Sequence, residues 1–176
     1  MSGKRRQRSS FYGPGGAAYS SATDDWPTPP HVYAALDAEL GPFELDPCSS
    51  HENHKAPRYY TREDDGLRQE WWGRVWLNPP YGKGIEDWLA KAAESTEAGA
   101  TVVALVPAKT DTRWWHEQVM DKASEVRLVK GRIAFGDGNG SSTFGSAVVV
   151  YRPGCPRRHP DVPDFSAWVR TEKSSI

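Results

Sequence analysis

Apolar positions along this chain follow two rhythms. In VYAALDAEL (32–40), in GIEDWLAKAAESTEAG (84–99) and in KTDTRWWHEQVMDKA (109–123) they recur every three or four residues, the spacing of a helix with one buried face. In FELDP, RVWL, TVVALVP, EVRLVKGRIAF and TFGSAVVVYRP they alternate or run continuously for four to seven residues, as strands do. TVVALVP is apolar throughout and stops at a proline, which predicts a strand covered on both faces. Thr28, followed by Pro29 and Pro30, predicts the start of the first helix with the threonine hydroxyl as cap, and Gly41 predicts its end. A short strand is expected at 58–61, and Thr110 or Asp111 is expected to cap the third helix. The second helix should bury Ile85, Trp88, Leu89 and Ala92.

Strands alternating with helices in the middle of the chain imply βαβ units, a mostly parallel sheet and helices on both faces. The last two strands are joined too closely for a helical crossover and should pair antiparallel. In open α/β sheets ligands bind beyond the carboxyl ends of the strands, where the strand order switches. Two polar knots, LDP at 45–47 and LNPPY at 77–81, stand at such ends and should lie side by side over one crevice.

Composition narrows the picture. The 176 residues suit one domain, and 38% hydrophobic with 26% charged residues is an ordinary globular balance. A formal net charge of -1 excludes a polycation but not a local basic patch. KRRQR (4–8) is such a patch, inside a Gly/Ser-rich segment, 1–22, expected to be disordered: a solubilising tail, or an arm for phosphates. The folded domain is expected over 23–153, and 154–176 reads as a second tail with a short helix near FSAWVR. The two cysteines, Cys48 and Cys155, have no paired spacing, and no apolar run suggests secretion or a membrane span. A reducing, cytoplasmic setting is the default. Most of the eight tryptophans should pack helices or core.

VWLNPPYGKG (75–84) carries the chemistry. A strand stops at an asparagine, two prolines that cannot donate to a ladder, and an aromatic ring. Such a four-residue pattern arises by chance in roughly 1% of chains this long, given ordinary proline usage. It resembles the catalytic motif of amino-methyltransferases that use S-adenosylmethionine. With WPTPP, FELDP, YYTREDDGL, GRVWLNPPYG, LVPAKTDTRWW and KGRIAF in the same order, the chain is similar, over about 24–152, to phage- and prophage-type DNA N6-adenine methyltransferases. The resemblance implies a Rossmann-like class I S-adenosylmethionine-dependent methyltransferase fold with an antiparallel C-terminal strand. It also implies S-adenosylmethionine as cofactor, DNA with its target adenine flipped out as partner, and neither metal nor membrane.

The chemistry of the knot can be argued from its residues. An adenine amino group is a poor nucleophile because its lone pair is delocalised into the ring. Asn78 Oδ1 and the Pro79 carbonyl would each accept one of its hydrogens, and Pro79 and Pro80 would hold those acceptors rigid. Tyr81 would offer a stacking face. The competing reading of the same residues is a structural Pro-Pro turn.

For the cofactor, the resemblance places Asp46 and Pro47 near the methionine end and Thr28 and Pro29 against the methionine moiety. Asp64 or Asp65 would meet the adenine amino group or the ribose. Asp46 as a helix cap and Asp64–Asp65 as a solvated turn are the alternatives. The glycine-rich turn of larger methyltransferases is missing after the first strand, where CSSHENH stands. Cys48, His51 and His54 at steps of three raise a rival zinc reading, without a fourth ligand at finger spacing. Phe135 and Phe144 are candidates for a second wall against the flipped base, or else core. Lys109, Arg113, Lys130 and Arg132 are candidate phosphate contacts, or solvated charges. Three functions stay open: adenine methylation of DNA, methylation of RNA guanine N2 or protein glutamine on the same scaffold, and a nucleic-acid-binding module with a vestigial site.

Overall fold

The computed structural model describes residues 27–135 and 142–154. The expectations for 1–22, the basic KRRQR segment and the FSAWVR helix lie outside them. Six strands form one sheet: β1 (Leu45–Asp46), β2 (Arg58–Tyr59), β3 (Arg74–Leu77), β4 (Thr101–Pro107), β5 (Glu125–Leu128) and β6 (Ser146–Tyr151), in the order β2-β1-β3-β4-β6-β5. The first four run parallel, and β6 is antiparallel to both β4 and β5. This is the mostly parallel α/β sheet with an antiparallel C-terminal strand that the sequence predicts. β1 sits between β2 and β3, so the chain steps to one side of β1 and then to the other. The switch point therefore lies above β1 and β3, the two strands that end in LDP and LNPPY.

Register shows which side chains share a face. Tyr151 donates its hydroxyl hydrogen to Gln118 O (3.0 Å), which places Tyr151, Val149 and Ala147 on the side of the third helix. Trp76 packs its ring against Tyr33 of the first helix (centroids 5.4 Å apart) and so faces the other side. Trp76 pairs with Val103, and Val103 with Val150. The first-helix face thus carries Trp76, Val103 and Val150 in one row, and two residues further along lie Leu105 and Val148, with Asn78 just past the end of β3.

Helix α1 (Pro30–Leu40) covers that face. It starts with Pro30 in its first turn but Pro29, not Thr28, is its cap residue, and no side-chain hydroxyl closes its amino end. The expected Thr28 cap is therefore not formed; its side chain is buried instead. At the other end the Arg74 guanidinium donates to the Gly41 carbonyl, at the amino end of β3. The amino end of α1 consequently points to the carboxyl end of the sheet. A Cβ on Gly41 would strike the Asp37 carboxylate, which is already occupied by the Phe43 N–H (2.8 Å).

Helix α2 (Ile85–Glu97) covers the opposite face and buries Ile85, Trp88, Leu89 and Ala92, as their spacing predicts, together with Ser95. Its cap residue, Gly84, has φ 101°, a conformation that any Cβ would strain. The expected α-helix around WWHEQVMDKA is shorter and wider: Trp115–Met120 form a π-helix, with Asp121 N–H donating to His116 O (2.9 Å). Neither Thr110 nor Asp111 caps it. Within this turn the Gln118 carbonyl receives the Tyr151 hydroxyl. Among the described residues no helix is long and apolar enough to cross a membrane.

Candidate active site

Several buried polar groups gather at the carboxyl edge, Thr28, Asp46, Asp65 and Ser146 among them. Asp46 ends β1 and is 3% exposed. Its Oδ2 accepts the Lys55 N–H (2.9 Å), and the Lys55 carbonyl accepts the Tyr33 hydroxyl (2.6 Å). The polar CSSHENHK loop is thus tied at one peptide to both the strand end and α1. Burial raises the Asp46 carboxyl to about 7, against the opposing pull of the Lys55 N–H. Burial, with Asp37 and Asp46 nearby, also pushes the Tyr33 phenol up to about 12, so it is a donor at neutral pH. Among the described residues, Asp46 Oδ1 is buried with no hydrogen-bond partner.

The EDDGL turn separates two adjacent carboxylates. Asp64 is exposed and accepts both the Thr61 N–H and the Thr61 hydroxyl (2.8 Å each), which hold its carboxyl below the usual range. That is the turn-capping arrangement. Asp65 is buried, pairs one oxygen with Arg68 (3.1 Å) and leaves Oδ1 buried without a partner among the described residues. Its φ of 54° is the only positive value at a described non-glycine residue. Such strain persists where surrounding structure enforces it, often at ligand sites. Gly66 follows, and a Cβ there would run into the Pro47 carbonyl oxygen. The close-approach glycine missing from the first turn is therefore supplied by the second loop, which presses EDDGL onto LDP.

Thr28 and Pro29 are both buried at the amino end of α1, and Thr28 Oγ1 too has no partner among the described residues. Two carboxylate oxygens and one hydroxyl are thus buried without a hydrogen-bond partner among the described residues. Leaving such groups unpaired costs about 1–3 kcal/mol each. The set suits a ligand rich in donors: an ammonium, ribose hydroxyls, an exocyclic amine.

Asn78 follows the last residue of β3, one strand over from Asp46, with Oδ1 shielded from solvent. Pro79 is buried and Pro80 half-buried. Tyr81 is only 8% exposed, and its hydroxyl donates to the β4 carbonyl of Leu105 (3.2 Å). Burial pushes its phenol well above the usual range. Its ring meets Phe144 (5.4 Å, 76°) and Phe135 (5.8 Å, 88°) nearly edge-on, and those two rings touch each other at 6.3 Å. The expected neighbours of Tyr81 are brought together, but they fill the space between them rather than flank a slot.

The basic candidates stay at the rim. Lys109, Arg113, Lys130 and Arg132 are exposed, and Arg113 makes only a loose pair with Glu117 (3.9 Å). Arg132 lies against Gly145 beside the aromatic group: a Cβ built there would sit 3.8 Å from Nη1. In the loop of the zinc reading, His51 Nδ1 is hydrogen-bonded to the Tyr59 hydroxyl (3.0 Å) and His54 Nδ1 to the Ala56 carbonyl (3.0 Å), and His54 stacks on Tyr59 at 4.2 Å. Both nitrogens are committed to structural bonds. Sequence patterns had no means to show Tyr33, the Lys55 peptide or Ser146, whose buried hydroxyl also lacks a partner among the described residues; each is placed by register and loop packing.

Two phage proteins and one family are similar to this chain. A protein of Escherichia phage T1 named DNA N-6-adenine-methyltransferase is 34% identical over 130 residues, which are 72% of this chain and 54% of that protein. One of Haemophilus phage HP1 with the same name is 28% identical over 143 residues, 77% of this chain and 83% of that protein. The chain thus spans about half the length of the first relative and most of the second. Residues 16–153 match the pattern of the family described as DNA N-6-adenine-methyltransferase (Dam), and the chain belongs to that family.

Proposed function

We propose that this protein transfers a methyl group from S-adenosylmethionine to the N6 amino group of adenine in DNA. The observation that carries the reading is the placement of Asn78: a shielded amide oxygen at the switch point, next to a half-site of buried, donor-seeking oxygens. The names of the two phage relatives support the same substrate.

Asp46, Thr28 and Asp65 would hold the cofactor, Asp46 meeting its ammonium and Asp65 its ribose or adenine amine, while Pro29 and Pro47 line its methionine end. Bound there, the cofactor supplies an electrophilic sulfonium methyl. Asn78 Oδ1 and the Pro79 carbonyl accept the two hydrogens of the adenine amine and aim its lone pair. As positive charge builds on that nitrogen, the same oxygens stabilise it, and they cost no reorganisation because the prolines fix them beforehand. The proton leaves after transfer, so an amide suffices where a base is not needed. The target adenine must leave the duplex to reach this depth. Its entry parts Tyr81 from Phe144 and Phe135, exchanging aromatic contacts for base stacking worth about 1–3 kcal/mol. Lys109, Arg113 and Arg132 at the rim would meet phosphates, and the protein would act on DNA in the cytoplasm of its host cell.

The test is to incubate the protein with radiolabelled S-adenosylmethionine and, in parallel, unmethylated DNA, RNA and protein extract, then digest and chromatograph the nucleosides. Label in N6-methyl-2′-deoxyadenosine from DNA is expected. Label confined to RNA or protein, or none anywhere, would overturn the reading.

A further inference from the structure

Ser146 is 2% exposed and its hydroxyl has no hydrogen-bond partner among the described residues. A buried, unsatisfied hydroxyl costs stability, and alanine would fill the same space without that cost. Its place in the sheet shows what the hydroxyl faces. Ser146 is the first residue of β6 and pairs with Pro107, the last residue of β4. Because β6 runs antiparallel, its start lies at the carboxyl edge with the ends of β1, β3 and β4. Tyr151 points to the π-helix side, so Ser146, five residues earlier, points to the α1 side, the face of Trp76. Pro107 has no N–H, and the Ser146 carbonyl is taken by Val129 (3.0 Å), so the hydroxyl is the group this rung leaves over.

The direction across the sheet separates two ligands. Asp46 and the turn holding Asp65 lie to the β1 side of Asn78, whereas Ser146 lies two strands to the other side, roughly 10 Å away at ordinary strand spacing. Phe144, two residues before Ser146, packs on Tyr81. Ser146 therefore belongs to the half of the crevice where the base enters, away from the cofactor oxygens. A base whose amino group met Asn78 would extend from it across the sheet, and a purine spans more of that distance than a one-ring base does.

We propose that the Ser146 hydroxyl is a specificity-determining contact that donates a hydrogen bond to a ring nitrogen of the flipped target adenine. This rests on the reading of the site as an adenine methyltransferase and names a residue of it that neither motif nor charge pattern marks. A pocket hydroxyl left unpaired by a shorter base also discriminates against that base.

Ser146→Ala tests the assignment in the full chain, beside wild type. Three quantities decide it: affinity for S-adenosylmethionine by calorimetry, kcat/KM for unmethylated plasmid DNA, and Tm. The expected result is unchanged cofactor affinity, a loss of about five- to tenfold in kcat/KM for DNA, and a Tm equal to or above wild type. A purely structural hydroxyl would lower Tm and spare kcat/KM. Unchanged kcat/KM overturns the contact, and a parallel fall in cofactor affinity overturns its assignment to the base. If wild type labels no DNA adenine, the parent reading fails and the contact with it; if wild type labels adenine and Ser146→Ala labels it equally well, only the contact fails.

Discussion

The two halves of the crevice are built on opposite plans. The cofactor half is polar and braced: Asp46, Asp65 and Thr28 hold buried oxygens in place through the Lys55 peptide, a strained φ and a glycine pressed on Pro47. The base half is aromatic and self-filled: Tyr81, Phe135 and Phe144 pack on one another. On the proposed reading the difference follows from what each half would hold. A cofactor rich in donors would need acceptors that are fixed and shielded from water. A base that arrived only when flipped would leave an apolar slot for most of the time, and rings that collapse together would keep it from filling with water. Asn78 stands on the boundary.

The largest effect is expected at that boundary. Asn78→Ala should lower kcat for methyl transfer by about 10²–10³-fold, the usual loss for one preorganised electrostatic group. Cofactor affinity measured by calorimetry should stay within a few-fold. Loss of both together would show that the halves are not separable.

Next comes Asp46→Asn, which keeps the shape and removes the charge. Charge-assisted hydrogen bonds are the strong ones, so cofactor affinity should fall roughly tenfold to a hundredfold. The raised Asp46 carboxyl adds a pH signature. Its folded value near 7 lies above the unfolded 3.8, so between these the folded state holds a proton that the unfolded state has released. The contribution to stability is present below 3.8 and is lost as pH rises through about 7. The free wild type should therefore lose more Tm from pH 5 to pH 8 than Asp46→Asn does. Cofactor binding, which favours the carboxylate, should weaken as pH falls below 7. A pH-independent affinity would place the ammonium elsewhere.

Much of this was legible from the chain. Periodicity and proline stops place α2, β4 and both knots, because long apolar runs and ring-locked residues leave few alternatives. The capping role expected of Thr28 failed because its side chain is buried, and the helix expected around Trp115 is a π turn that buries Trp115 and Val119. Asp64 and Asp65 are indistinguishable in sequence, since only the backbone turn decides which of two neighbours points inward. Ser146 reads as the start of an apolar strand, and only strand register carries it to the crevice.

The twin carboxylates give the third test. Asp65→Asn tolerates the left-handed conformation and should cost about tenfold in cofactor affinity with little change in Tm. Asp64→Ala should do the reverse, lowering Tm because the buried Thr61 loses its acceptor while affinity holds. Equal effects on affinity would mean that the turn, not one carboxylate, meets the cofactor.

The smallest expected effect probes the base half by a single atom. Tyr81→Phe removes the hydroxyl that donates to Leu105 O and leaves the ring in place. Stability should fall by about 1 kcal/mol, one neutral hydrogen bond, read as a lower denaturation midpoint. Transfer should remain within about twofold, because a ring stacks through its face and the hydroxyl is already committed to the Leu105 carbonyl. A large loss of kcat at normal stability would show that the hydroxyl leaves Leu105 during turnover and enters the chemistry. The base half would then be as polar in action as the cofactor half is at rest.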